Sequence, residues 1–154
     1  MSHLQYHAYP GYGTRSQDTL HYSQAVRVGD RIECSGQGGW DPESGKIHTE
    51  IHSQIDQAFA NVQLALKDAG GKGWSQVFRV NSYHVPLNDE AMHAMVRKFK
   101  EYMPNHQPIW TCVGVSRLGP VLQQLIGNFV YNAISHDMFI PIMSSTWHIH
   151  SDLC

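Results

Sequence analysis

Apolar residues along the chain fall into two kinds of spacing, and the switches between them predict its elements. Ser23–Val28 and Arg31–Ser35 are β-prone runs separated by Gly29-Asp30, which predicts a hairpin whose leading glycine suits a type II′ turn. Farther on, Ile55, Ala58, Phe59, Val62, Ala65, Leu66 and Ala69 recur every three or four positions, as on one buried stripe of a helix. A capping box at Ser53–Asp56 is expected to open that helix, and Gly70-Gly71 to stop it. Gln76–Val85 then predicts a strand, with Phe78 and Val80 on one face and Val77, Tyr83 and Val85 on the other. Pro86 breaks the run, and Asn88 stands where an N-cap would open a second helix with the stripe Met92, Met95, Val96, Phe99 and Met103. Pro104 and Pro108 lead to a β-like run from Trp110 to Val115. Its alternation puts Trp110 and Cys112 on one face, and Thr111, Val113 and Val115 on the other.

Hairpin, helix, strand, helix, strand is an order that sets two helices on one face of a mixed sheet. The expected fold class is α+β, a two-layer sandwich. Its other face is then bare, and is expected to carry Trp110, Cys112 and Tyr83, more apolar surface than a monomer usually leaves in water. Self-association over that face is the expected remedy. Residues 1–19 hold Tyr6, Tyr9, Tyr12, Pro10, Gly11 and Gly13 without a period, and are expected to form an irregular arm. The domain proper is expected over 20–135, with Val121–Val130 able to form a last strand and 136–154 left as an atypical tail.

Charge and cysteine content narrow the chemistry. The 154 residues are one domain's worth, and 11 Lys and Arg against 13 Asp and Glu give a net charge of −2. That balance supplies no footprint for a nucleic-acid partner. The apolar run from Val121 to Met143 is interrupted by polar residues, and no stretch reaches the roughly 18 to 20 apolar residues of a membrane span. Cys34, Cys112 and Cys154 lack CxxC spacing and are odd in number, which fits reduced thiols and a cytoplasmic location better than a secreted framework. Eleven histidines are scattered along the chain without an HExxH motif, and no metal is expected.

Several short motifs occur together and in order. Tyr22-Ser-Gln-Ala-Val26, Ser35-Gly36-Gln37, Asp41-Pro-Glu-Ser-Gly45, Leu87-Asn88-Asp89, Thr111-Cys112-Val113 and Arg117-Leu-Gly119 resemble the RidA/YjgF family, also labelled L-PSP endoribonuclease. The resemblance covers Tyr22 to Gly119. It implies a chorismate-mutase-like fold, a homotrimer with clefts between subunits, and hydrolysis of reactive imines or enamines without a cofactor. By the same resemblance Tyr22, Ser35 and Cys112 are candidate catalytic residues, and Gly36, Gln37, Asn88 and Trp110 candidate substrate-binding residues. Hydroxyls and backbone amides in such a cleft would orient a water and manage protons. The residues taken alone also suit plainer roles: Tyr22 as an interface aromatic, Asn88 as a helix cap, Cys112 as a small buried hydrophobe.

Two departures bear on substrate. Trp110 stands where the imine-hydrolysing branch has an arginine that forks onto a carboxylate, and an indole has one donor and a large apolar face. No glutamate follows Glu101, so the family's late catalytic glutamate has no counterpart. The expected activity is imine or enamine deamination on a less polar substrate. The alternatives are a non-catalytic trimer that binds a hydrophobic small molecule and, third, an endoribonuclease.

Overall fold

A computed structural model describes residues 3–119 and 124–132 of the chain; the expected tail, 136–154, lies outside them. Seven strands form one mixed sheet: β1 Leu4–His7, β2 Ala25–Val28, β3 Arg31–Cys34, β4 Gln37–Gly38, β5 Val77–His84, β6 Ile109–Gly114 and β7 Gln124–Asn132. Three α-helices are described, α1 Tyr12–Leu20, α2 Ile51–Asp68 and α3 Asp89–Tyr102, with a 3₁₀ turn at Gly73–Gln76. The strand order is β1-β2-β3-β7-β5-β6, and β4 also pairs with β7. Because β3 and β5 both run antiparallel to β7, they are parallel to each other, and β6 pairs parallel to β5. Each parallel step is spanned by a helix, α2 for the first and α3 for the second. The fold is the α+β sandwich that the periodicity predicts.

The hairpin forms as expected, with Val28 opposite Arg31 and Gly29 at a φ of 59°. On α2 every stripe residue is buried, from Ile55 to Leu66 and on to Ala69. The helix ends in a Schellman motif: Gly70 N–H donates to Lys67 O and Gly71 N–H to Leu66 O, with Gly70 at a φ of 80°. It begins earlier than expected, however. Glu50 is the N-cap and makes no side-chain capping bond, so Ser53 lies inside the first turn rather than at a cap. Close packing to the β4 strap explains how α2 is seated: a Cβ on Gly39 would come within 2.5 Å of Gln54 Cα.

Four further expectations change. Irregular pairing of β5 with β7 around Val77, Arg79 and Asn81 resets the alternation, so Val77 and Val80 are both buried while Phe78 is exposed. On α3 the buried positions are Ala91, Ala94, Met95 and Lys98, and Val96 faces solvent. Small alanines let this helix approach its neighbour, and the Arg97–Asp56 ion pair joins it to α2. On β6, Trp110 and Cys112 face the helices instead of the bare side. They lie beside Val80 and Ser82 of β5, which are wholly buried, and cross-strand neighbours share a face. The bare side of β6 carries Ile109, Thr111 and Val113.

The fourth change concerns the N-terminus. The segment expected to be an irregular arm contains β1, paired antiparallel with β2 from Leu4↔Val28 to His7↔Ala25, and α1. Only Gly13 and Ser16 of α1 are buried, so the helix has no apolar stripe for a periodicity to reveal. It is anchored at its start: Tyr9, just before it, is fully buried, and its first residue, Tyr12, stacks on Trp40 with ring centroids 4.4 Å apart. No helix among the described residues is long and apolar enough to cross a membrane.

Candidate active site

Tyr22 and Ser35 line one cavity of about 600 Å³. After α1 the chain turns at His21, whose left-handed backbone (φ 57°, ψ 42°) directs Tyr22 along the cavity wall. Ser35 follows β3, where its N–H and its hydroxyl both donate to the Gln24 carbonyl, at 2.9 and 3.2 Å. Another part of the wall is a cross-strand row, Tyr6 opposite Val26 and Val26 opposite Glu33. Cys34 also borders the cavity, but burial pushes its thiol up to about 12, which keeps it protonated and unsuited to nucleophilic attack. Burial likewise raises the Tyr12 hydroxyl above the usual tyrosine range. Tyr22, hydrogen-bonded to it, adds to the rise.

Behind this wall is a buried polar network that the sequence motifs did not reveal. Trp40 Nε1 donates to the Tyr9 hydroxyl (3.0 Å), which donates to Gln37 Oε1 (3.0 Å). Gln37 Nε2 in turn donates to Gln24 Oε1 at 2.8 Å and lies 3.3 Å from both Ser35 oxygens. Gln37 is fully buried, so its amide positions Ser35 from behind and is not offered to a substrate. Gly36 is half-buried between the two. Neither Tyr9 nor Trp40 lies on a periodic stripe, so periodicity carries no sign of the network, although buried aromatics with polar tips ordinarily need partners.

The other sequence candidates lie at the opposite end of the sheet. Trp110 packs edge-on against Phe99 with centroids 4.9 Å apart, and its Nε1 donates to Ser82 Oγ at 2.9 Å. Ser82 Oγ is also 2.9 Å from His84 Nε2, and both residues are wholly buried. The Cys112 thiol lies 3.6 Å from Met92 Sδ of α3. Trp110 borders a second cavity of about 390 Å³ with Val96, Phe99, Met103 and Pro108, distinct in its lining from the first. Asn88 caps α3, its side-chain oxygen accepting from Ala91 N–H at 2.9 Å. From β3 to β6 there are three strand steps, about 14 Å at ~4.8 Å each. One chain therefore brings Tyr22 and Ser35 together, with Gln37 behind them, and leaves Cys112, Trp110 and Asn88 apart.

Two histidine pairs are spaced i, i+4, His3 with His7 and His48 with His52. His7 ends a strand and His48 precedes α2, so neither pair shares a helical face. Among the described residues no three His, Cys, Asp or Glu side chains group as a metal site would require.

A sequence model of the family described as Endoribonuclease L-PSP matches residues 14–125. A RutC family protein of Pyrococcus abyssi is 37% identical over 98 residues, which cover 63% of this chain and 75% of that protein. A 2-iminobutanoate/2-iminopropanoate deaminase of Dermatophagoides farinae is 35% identical over 98 residues, or 63% of this chain and 74% of that one. Among solved structures, a protein titled YjgH superposes with a TM-score of 0.70 at 23% identity, over 82% of this chain and 93% of that one. Escherichia coli TdcF with bound serine gives 0.64 at 25% identity, over 72% and 87%.

Proposed function

Because the chain belongs to the Endoribonuclease L-PSP family, the group that includes RidA and YjgF, we propose that it is a cofactor-free hydrolase converting a reactive imine or enamine into a carbonyl compound and ammonia. The observation that carries this reading is the meeting of Tyr22 and Ser35 on one cavity, in a chain similar over 98 residues to a protein named as an imine deaminase. Imine hydrolysis needs an oriented water and groups that relay protons, and a wall of hydroxyls fixed by a rigid amide network supports both.

A complete cleft would be built between subunits of a homotrimer. Tyr22 and Ser35 stand on one flank of the sheet and Cys112 on the other, so a neighbour's β6 flank has to meet the cavity for the three to act together. Cys112 would then serve as wall through its backbone, since its thiol is turned toward Met92. Trp110 offers a carboxylate no fork, and its single donor is already bonded to Ser82, which favours a substrate less polar than a 2-imino acid. The apolar cavity beside Trp110 favours, as a second reading, a trimer that binds a hydrophobic small molecule without chemistry. A ribonuclease reading has no support from a net charge of −2.

The test generates imines in situ from several amino acids with an amino-acid oxidase and follows their decay and the release of ammonia. Acceleration that is greater for apolar side chains is the expected result. No acceleration with any imine, from a protein that sediments as a trimer, would reject deamination in favour of the binding reading.

A further inference from the structure

We propose that Glu33 is the acid–base group of the Tyr22–Ser35 cavity, a role that rests on the deaminase reading above. Glu33 lines the same cavity as Tyr22 and Ser35. It lies on β3, two residues before Ser35, which follows the last residue of that strand. Its neighbours across the sheet, Val26 and then Tyr6, also line the cavity, which sets the carboxylate within a row of wall residues. Of the strands whose described residues line the cavity, β1, β2 and β3, only β3 carries a carboxylate.

Three other groups on the wall are not free bases. The Ser35 hydroxyl donates to the Gln24 carbonyl, Tyr22 is bonded to Tyr12, and the Cys34 thiol is held protonated by burial. A carboxylate has two acceptor oxygens and, once protonated, one donor, which is what both halves of the reaction need. In the first half Glu33 takes a proton from water as the water oxygen bonds to the iminium carbon and the C=N π pair moves to nitrogen, giving a neutral carbinolamine. In the second half Glu33 returns that proton to nitrogen. The C–N bond then breaks with its pair going to ammonia, an oxygen lone pair forms C=O, and the hydroxyl proton leaves with ammonia as ammonium. Charge and atoms balance: iminium plus water gives carbonyl plus ammonium. Tyr6 from β1, His21 and Tyr22 just after α1, and Cys34 from β3 are the titratable groups that share the cavity with this carboxylate among the described residues, and Arg31 precedes it by two residues on β3.

The experiment measures kcat/KM for imine decay from pH 5 to 9 with the full chain, Glu33→Gln and Glu33→Asp, alongside thermal midpoints. Glu33 is exposed, so all three are expected to melt together. Glu33→Gln should lose about 100-fold in kcat/KM, and Glu33→Asp should recover part of it. A Glu33→Gln protein within threefold of wild type overturns the assignment and points to His21. A wild-type chain without activity rejects the deaminase reading itself and this role with it, an outcome distinct from an active chain indifferent to residue 33.

Discussion

The two flanks of the sheet hold family-matched residues in opposite physical settings. At the β2–β3 flank, Tyr22 and Ser35 face a cavity while Tyr9, Gln24 and Gln37 bond one another behind it. At the β5–β6 flank, Trp110 and Cys112 turn inward onto Phe99 and Met92, and an aromatic chain continues from Phe99 through Phe59 to Trp74. A motif position is thus not a role. What decides is the face on which the strand presents the side chain, and the indole at 110 has become part of the inter-element packing. Within one chain the first flank leaves its motif residues open to a cavity and the second packs them for cohesion.

Trp110→Arg is the strongest way to break that comparison. An arginine matching the imine-hydrolysing branch would lift activity if residue 110 faced the substrate. Where Trp110 sits, the change removes the contact with Phe99 and the bond to Ser82, and places a guanidinium against the helix layer. A loss of about 3 kcal/mol in denaturant unfolding is expected, at the low end for removing a large aromatic because the indole is only half-buried. A stable variant with raised turnover on imino acids would put residue 110 in the cleft instead.

The first flank can be probed from behind. Gln37→Leu keeps the volume but leaves the Tyr9 hydroxyl and Gln24 Oε1 buried without their partner, a cost of about 2 kcal/mol. Because Gln37 also approaches Ser35, turnover should fall with little change in KM, the mark of a group that holds another in place. If KM alone rises and the melting midpoint is unchanged, Gln37 contacts substrate and the network is not its function.

The hairpin, α2 and the α+β order were legible because they rest on long periodic runs whose burial is one-sided: α2's stripe is buried from Ile55 to Ala69. The N-terminal segment was not, since α1 buries only Gly13 and Ser16 and is held by Tyr9 and Tyr12, which reach residues about 30 positions away. The facing of β6 is not legible in the sequence for a related reason. Alternation says which residues share a face, but which face meets the helices depends on the neighbour in the sheet, here Val80 and Ser82. Tyr22 and Ser35 were found through their motifs. Glu33 sits outside every motif, and only the cross-strand row Tyr6, Val26, Glu33 brings it to the cavity.

Asn88 gives the smallest effect and separates two roles cleanly. Its side-chain oxygen accepts from Ala91 N–H, the geometry of an N-cap at the start of α3, on the cohesive flank of the sheet. Asn88→Ala should therefore cost about 1 kcal/mol, and Asn88→Ser or Asn88→Asp should restore most of it because both are good caps. Activity should follow stability: unchanged well below the melting transition in all three variants. A substrate ligand would behave otherwise. Serine is shorter and aspartate cannot donate, so a contact made by the Asn88 amide would be lost in both even where the helix start is intact. Reduced turnover in a stable Asn88→Ser or Asn88→Asp protein would move this residue from the packed flank into the cleft, and would mean that the neighbouring subunit brings α3's first turn to the cavity.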